Sequence, residues 1–341
     1  MVGAVVGAAS ILGIETSCDE TAAAVVTEDL CVASSVVESS IALHVRFGGV
    51  VPELAGRAQV DAIAPVIERA LAEAGLDAHR PGVRAVAVTR GPGLVGSLLV
   101  GVSAAKALAL AWDVPLVGVN HLEGHLVAPH LEHAGLELPV VTLLVSGGHT
   151  MLVVERSARS FEVLGATIDD AVGEAYDKVA RYLGLGYPGG PAIDAMSSSG
   201  DPRAIRLPRP MRDVGLDMSL SGLKTAVVRA VDKSPQTPAS DVAASFQAAV
   251  VEVLIAKCER AVELTGARTL ALGGGVAANA ELRAAVTELA TSLGIESALP
   301  SLAYCTDNAA MIAAAGFHLL GRGLVSPLSM PADPSLRLDA A

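Results

Sequence analysis

The sequence predicts an α/β fold in which strands and helices alternate along the chain. Three observations carry that prediction. Short apolar runs of strand length recur before polar or glycine-rich turns. Several of those turns open onto helical segments. Aromatic residues make up only 3% of the chain, while alanine and valine supply much of a 52% hydrophobic fraction. Small side chains suit close packing of helices on a sheet, and alternating strand–helix units define the α/β class. At 341 residues the chain has room for about two domains with sizeable cores.

The elements follow in order. Ile11 to Val26 reads as two apolar runs around a polar hairpin, TSCDET. Ala85 to Thr89 is a strand, followed by a Gly-Pro-Gly turn and a helix; PLVGVN is a short buried strand. HLEGHLVAPHLEH is a helix with a break at Pro129, because proline removes a backbone donor and clashes with the preceding turn. From Pro139, PVVTLLVSGGHTMLVVE repeats the first hairpin's layout, and RTLALGGGVAANAELRAAVTELA from Arg268 is a strand–glycine–helix unit. The two hairpins suggest a duplication, with an N-terminal lobe over residues 1–140 and a C-terminal lobe over 141–341. A stretch at 166–240, rich in Gly, Pro, Arg and Ser, reads as an insertion that shapes a substrate site.

Composition excludes several classes. A net charge of −12 argues against a general nucleic-acid coat protein and leaves room for a local basic patch. Four scattered cysteines without a C-x-x-C pair imply reduced thiols rather than a disulfide framework. No apolar run reaches the ~20 residues that span a bilayer, so no membrane role is expected. The apolar N-terminus lacks a basic leader and runs into a strand ending at Glu15, which speaks against a signal peptide. The expected location is the cytoplasm.

His121 and His125 in HLEGH sit four residues apart, so a helix would put both imidazoles on one face, able to converge on an ion. Two surface histidines on an amphipathic helix would show the same spacing, and both readings stay open at this point. A zinc protease needs glutamate directly after the first histidine. Leu122 stands there, and Glu123 comes one residue later. A third ligand could be Asp307 in YCTDNAAMIAAAG, although Thr306 or Asp307 could equally cap the alanine-rich helix that follows.

Two glycine turns, Ser146–Gly148 in LLVSGGHT and Gly273–Gly275 in LALGGGVAAN, let backbone N–H groups approach a phosphate, and the second opens a helix. Asn279 offers an amide to a ribose or base. Asp177 lies within GEAYDKVAR, where pairing with Lys178 or Arg181 would make it plain surface charge; Gly189 and Gly190 form a turn before Asp194. Arg203, Arg206, Arg209 and Arg212 recur every three residues, with Lys224 following in SLSGLKT. This basic cluster is a solvated loop or a contact with a phosphate backbone.

ETSCDET, GGVVPELAGR, GPGLVGSLLVG, NHLEGH, LLVSGGHT, GEAYDKVAR, YPGGPAID, SGLKT, LGGGVAAN and CTDNAAMIA occur in this order. The chain resembles the tRNA N6-adenosine threonylcarbamoyltransferase family, of the bacterial TsaD type, formerly labelled O-sialoglycoprotein endopeptidase. The resemblance covers about residues 10–325. It implies an actin-like, sugar-kinase-like (ASKHA) fold of two duplicated RNase H-like lobes with a nucleotide cleft between them. It also implies transfer of a threonylcarbamoyl group from threonylcarbamoyl-AMP to N6 of adenosine 37, in tRNAs reading codons that begin with A. The implied cofactor is one divalent metal per chain, iron favoured over zinc, at the positions of His121, His125 and Asp307. Substrate residues map onto Leu144, Val145, Ser146, Gly147, Gly148, Asp177, Gly190, Asp194 and Asn279. The implied partners are tRNA, through its anticodon loop, the paralogous subunit TsaB and the ATPase TsaE. Three positions depart from the family's usual pattern: Phe47 replaces a tyrosine, and Gly56 and Gln59 interrupt an S-R-x-H run.

The adenine amine is a weak nucleophile, so the expected chemistry is activation of the acyl donor, with a metal as Lewis acid. Asp19, in the first hairpin, is the candidate to accept or relay the amine proton. Competing readings are an ATP-dependent phosphotransferase of the same fold, a metalloprotease, and a non-catalytic nucleotide-binding subunit. The first does not explain paired histidines, since Mg²⁺ prefers oxygen ligands.

Overall fold

A computed structural model describes residues 10–133 and 135–338. Most of the N-terminal apolar segment, read above as the approach to the first strand, lies outside the described residues. The chain forms two compact units, one of residues 1–134 and 307–341, the other of residues 135–306. The sequence-based division at 140 placed everything C-terminal to it in one lobe. The chain instead returns to the first unit from Asp307 onward, because the last helix packs on the first sheet.

In chain order, the first unit contains β1 (Ser10–Glu15), β2 (Glu20–Thr27), β3 (Val32–Ser39), α1 (Ile41–His44), α2 (Pro52–Glu73), β4 (Ala85–Gly91), α3 (Val95–Trp112), β5 (Leu116–Asn120) and α4 (His121–Val127). The second contains β6 (Val140–Val145), β7 (Thr150–Ser157), β8 (Ser160–Ala166), α5 (Val172–Tyr182), α6 (Gly189–Ser197), α7 (Ser221–Lys233), α8 (Ala239–Thr265), β9 (Thr269–Gly273), α9 (Ala280–Leu293), β10 (Glu296–Ala298) and α10 (Leu302–Cys305). α11 (Ala309–Gly321) completes the first unit.

Each unit holds a five-stranded sheet, ordered β3-β2-β1-β4-β5 in the first and β8-β7-β6-β9-β10 in the second. In the first, β1–β2 and β2–β3 pair antiparallel, and β1–β4 and β4–β5 pair parallel. The second repeats this, strand for strand. Such repetition is the expected duplication of RNase H-like lobes, expressed as topology.

In the first unit, Leu12 and Ile14 of β1 join a core with Val66, Ile67 and Leu71 of α2 and Val102 of α3. Side chains alternate across a strand, so Gly13 and Glu15 point to the opposite face. Gly13 faces α11: a β-carbon there would lie 2.2 Å from the Ala309 carbonyl oxygen. Only glycine lets this backbone-to-backbone approach occur. α4 ends at Val127 and a single 3₁₀ turn, Ala128–Leu131, follows, so the expected break falls at Pro129.

The second unit's core is built from Val141, Leu143 and Val145 of β6 against α5 and α8, with Tyr176 and Phe246 in edge contact at 5.1 Å. The segment 166–240, read from the sequence as an insertion, contributes α5, α6 and α7 to this core. Among the described helices, α3 and α8 are long and apolar enough in composition to cross a membrane, although the sequence reading found no such run. Most of α8 is a core helix, with Val242, Phe246, Val250, Leu254 and Ala261 at 1% exposure or less.

Candidate metal centre and substrate loops

The C-terminal ends of β1, β4 and β5 lie side by side because these strands are parallel neighbours. This end of a parallel sheet is the usual place for ligand-binding groups. β1 ends in Glu15, β4 carries Thr89, and β5 ends at Asn120, whose side chain caps α4 by accepting from Leu122 N at 2.9 Å. His121 therefore opens α4, and His125 follows one turn later on the same face.

Asp307 reaches them from the other end of the chain. It does not cap α11. Asn308 does, accepting from Met311 N at 3.0 Å, which leaves the Asp307 carboxylate out of the cap. Gly124, between the two histidines, packs against Met311 and Ile312 of α11. The result brings His125 Nε2 to 3.1 Å and His121 Nε2 to 3.5 Å from Asp307 Oδ1. One ligand atom from each residue lies within 4.8 Å of the other two. His121 and His125 are 8% and 0% exposed. Two buried imidazole nitrogens and a partly buried carboxylate oxygen converge here, a donor set that fits a divalent transition metal with open coordination positions.

Charge crowding supports the fit. Burial first, then the Asp307 and Asp19 carboxylates, pushes Glu20 up to about 10. Burial and the same neighbours raise the Cys18 thiol well above its ordinary range. Burial alone would lower His121, but Asp307 and Glu15 outweigh it and raise the imidazole to about 9. A bound dication would offset this excess of negative charge.

Asp19 lies in the β1–β2 turn beside this cluster, 8% exposed. Its carbonyl accepts from Ser40 N and Ser40 Oγ, both at 2.9 Å. Gln59, one of the departing residues, is fully buried and donates from Nε2 to the carbonyls of Cys18 and Glu20, both at 3.0 Å. It ties α2 to the turn that carries Asp19. Gly56 faces Gly96 of α3, and Phe47 is exposed under the Arg46 guanidinium.

In the second unit, β6 and β9 pair in parallel with Leu144 opposite Gly273, so both glycine turns leave the sheet at one end. At Gly274, φ is +87° and a β-carbon would lie 2.4 Å from the Val145 carbonyl oxygen; only glycine permits that path. Leu144 and Val145 are fully buried, so only their backbone can serve a ligand. Gly147 and Gly148 are exposed, with open space where a side chain would stand.

Of the remaining predicted residues, Asp194 and Asn279 share a polar network, while Asp177 bonds the start of α6. Asp177 Oδ1 accepts from Gly189 N at 2.7 Å. Burial raises the Asp177 carboxyl, against the lowering effects of that bond and Arg181. It does not pair with Lys178, which binds Asp170 and Glu174. Gly189 and Gly190 are the first residues of α6 rather than a free turn. Asp194 Oδ1 accepts from Asn279 Nδ2 at 2.9 Å and Gln247 Nε2 at 3.1 Å. Asn279 also caps α9 through Oδ1, so its amide serves the network and the helix before any ligand. Gln247 and Glu281 were not anticipated. Gln247 is 2% exposed, bonds Asp194, Ser197, Asn279 and Glu281, and lies on a helix whose sequence reads as apolar core.

The arginine run divides. Arg203, Arg206 and Arg212 are exposed, as is Lys224. Arg209 makes a two-pronged pair with Glu252, at 2.9 Å on each prong. Lys257 of α8, fully buried, donates to the carbonyls of Met211, Val214 and Gly215 at 2.6, 2.6 and 3.0 Å, anchoring this loop.

A family profile described as tRNA N6-adenosine threonylcarbamoyltransferase matches residues 31–314. A tRNA N6-adenosine threonylcarbamoyltransferase of Trichlorobacter lovleyi is 52% identical over 334 residues, covering 96% of this chain and 97% of that protein. The chain belongs to the tRNA N6-adenosine threonylcarbamoyltransferase family. A second family member of that name, from Anaeromyxobacter dehalogenans, is 52% identical across 96% of this chain and 99% of its own length. Members of this family are transferases that act on tRNA, as the name states.

Solved structures with the same fold are far more distant in sequence. Full-length HypF in its phosphate- and nucleotide-bound form superposes with a TM-score of 0.65 at 15% identity, covering 93% of this chain and 47% of that one. The chain thus spans about half the length of that HypF. The (R)-2-hydroxyglutaryl-CoA dehydratase component A of Acidaminococcus fermentans superposes with a TM-score of 0.53 at 13% identity, covering 92% and 99%. These likenesses bear out the ASKHA fold expected from the sequence.

Proposed function

We propose that this chain transfers the threonylcarbamoyl group of threonylcarbamoyl-AMP to N6 of adenosine 37 in tRNAs reading codons that begin with A, releasing AMP. One observation carries the reading within this family: one ligand atom each from the buried His121 and His125 and from Asp307 converge within 4.8 Å. His121, His125 and Asp307 would hold one divalent metal. Two histidines and one carboxylate with open positions are the donor set of non-haem Fe(II) sites, which favours iron, and zinc accepts similar ligands. When bound, the metal supplies a Lewis acid at the acyl donor.

The rest falls to the chain's own groups. The N6 lone pair attacks the carbamoyl carbon, a C–N bond forms, and the C–O bond to phosphate breaks. AMP departs with that electron pair, and N6 loses one proton. Asp19 would accept or relay this proton. Backbone amides of Ser146–Gly148 and Gly273–Gly275 hold the AMP portion, with Leu144 and Val145 fixing the turn. Asp177, Gly190, Asp194 and Asn279 order the neighbouring substrate wall.

The target adenine must leave the anticodon-loop stack to be modified, as is usual where single-stranded RNA is read. Arg203, Arg206, Arg212 and Lys224 offer a local basic surface in a chain of net charge −12. Such a chain binds tRNA weakly alone, in keeping with a cytoplasmic assembly that includes the paralogue TsaB and the ATPase TsaE. The decisive assay mixes the chain, both partners, threonylcarbamoyl-AMP and unmodified tRNA, followed by nucleoside analysis. Threonylcarbamoyladenosine at position 37 is expected, and its absence would refute the reading. Full turnover by Asp19→Asn would remove Asp19 from the proton step.

A further inference from the structure

Glu15 is the last residue of β1, has no exposed surface, and lies on the side of the sheet that faces α11. Its carboxylate accepts from three groups. Oε1 takes the Ser17 N–H; Oε2 takes the Thr89 hydroxyl at 2.5 Å and lies 3.0 Å from His121 Nδ1. These donors come from the β1–β2 turn, β4 and the start of α4, so the contact depends on three strand ends lying in register.

A neutral imidazole carries one N–H and one lone pair. With a metal on Nε2 the ring must be neutral, and the Glu15 carboxylate facing Nδ1 keeps its one proton there; Asp307 Oδ1 lies 3.5 Å from Nε2. The Ser17 hydroxyl also approaches Nδ1, at 3.2 Å, but the carboxylate is nearer and charged, which makes it the stronger acceptor. His125 has no such support, for its Nδ1 is buried without a hydrogen-bond partner. The two candidate ligands are therefore unequal: a carboxylate orients His121 and not His125.

We propose that Glu15 is a positioning residue of the metal centre: by holding the Nδ1–H of His121 it fixes the ring and presents Nε2 to the metal. This rests on His121, His125 and Asp307 being the metal ligands. A carboxylate behind a ligating histidine sets its tautomer, and losing it typically costs 10–100-fold in metal affinity.

The experiment titrates Zn(II) against a chromophoric chelator with the full-length chain, wild type and Glu15→Gln. The Gln side chain keeps the shape of Glu15 but brings an N–H₂ into a pocket built for acceptors. Glu15→Gln should bind Zn(II) about 10–100-fold more weakly while its metal-free circular dichroism matches wild type. Wild-type binding with an unchanged variant overturns the role of Glu15 and spares the metal site. A wild type that binds no Zn(II) brings down both. Should the variant not fold, ¹⁵N-histidine NMR of zinc-loaded wild type decides, since the proton of His121 must be on Nδ1. A proton on Nε2 overturns the proposal.

Discussion

His125 Nε2 lies 3.1 Å from Asp307 Oδ1, across a separation of 182 residues in the chain. The pair is made by α4 beginning at the end of β5 and by α11 returning to the first sheet with Asn308, not Asp307, as its cap. A ligand set split in this way can be cut at either end. His125→Ala and Asp307→Ala should each purify with well under one metal per chain, measured by elemental analysis, while the helices persist by circular dichroism. Stoichiometric metal in either variant would show that the ion sits elsewhere.

Gly13 is where α11 meets β1, and any side chain there strikes the Ala309 carbonyl. Overpacking of this kind typically costs about 1–3 kcal/mol. Gly13→Ala should lower the melting temperature and, by displacing the start of α11, weaken metal binding as well. A variant with wild-type stability would mean that α11 adjusts freely.

Gln247 ties Asp194, Ser197, Asn279 and Glu281 together. Gln247→Leu strips the buried Asn279 and Ser197 and the partly buried Asp194 and Glu281 of a partner, and a buried unsatisfied group costs about 1–3 kcal/mol. Denaturant unfolding should show a loss in that range, and the Michaelis constant for the acyl donor should rise. Unchanged values for both would reduce the network to packing.

Reversal of Arg203 and Arg206 to glutamate should weaken tRNA binding and flatten its salt dependence by about two charges. Arg209→Ala should act differently, because Arg209 is already committed to Glu252. Its effect should fall on stability rather than on the salt slope. Equal slopes for wild type and the double reversal would exclude this loop from the tRNA surface.

Asp169 shows how pH should act away from the centre. Burial raises its carboxyl, but bonds from the Ser219 hydroxyl, Leu220 N, and the Ser221 hydroxyl and N win, holding it near about 2. A group whose folded pKa is depressed stabilises the fold above its unfolded value of 3.8 and loses that contribution as pH falls toward 2. Asp169 is exposed, so the effect is small, about 1 kcal/mol or less after solvent screening. Asp169→Asn should therefore be less stable than wild type at pH 7, with the gap closing below pH 3.

The sequence by itself determined the α/β class, the duplicated hairpins, the glycine turns and the break at Pro129. All of these rest on local chemistry: apolar runs, glycine where backbones must approach, and proline's missing donor. Ordered motifs also placed the chain in its family, and named His121, His125 and Asp307 together. Other things were out of reach. HLEGH alone left surface histidines and a metal site equally open, because spacing on one helix says nothing of what faces it. Glu15 stood in view at the end of a strand, yet its partner was fixed only by β1, β4 and β5 aligning their ends. Gln247 lay hidden inside an apolar helix, since periodicity cannot mark which polar side chain meets four others. The return of α11 to the first unit was likewise decided in three dimensions. Local elements depend on neighbours along the chain. The convergence of His121, His125 and Asp307 depends on which faces the sheet and α11 turn toward each other, and only tertiary packing sets that.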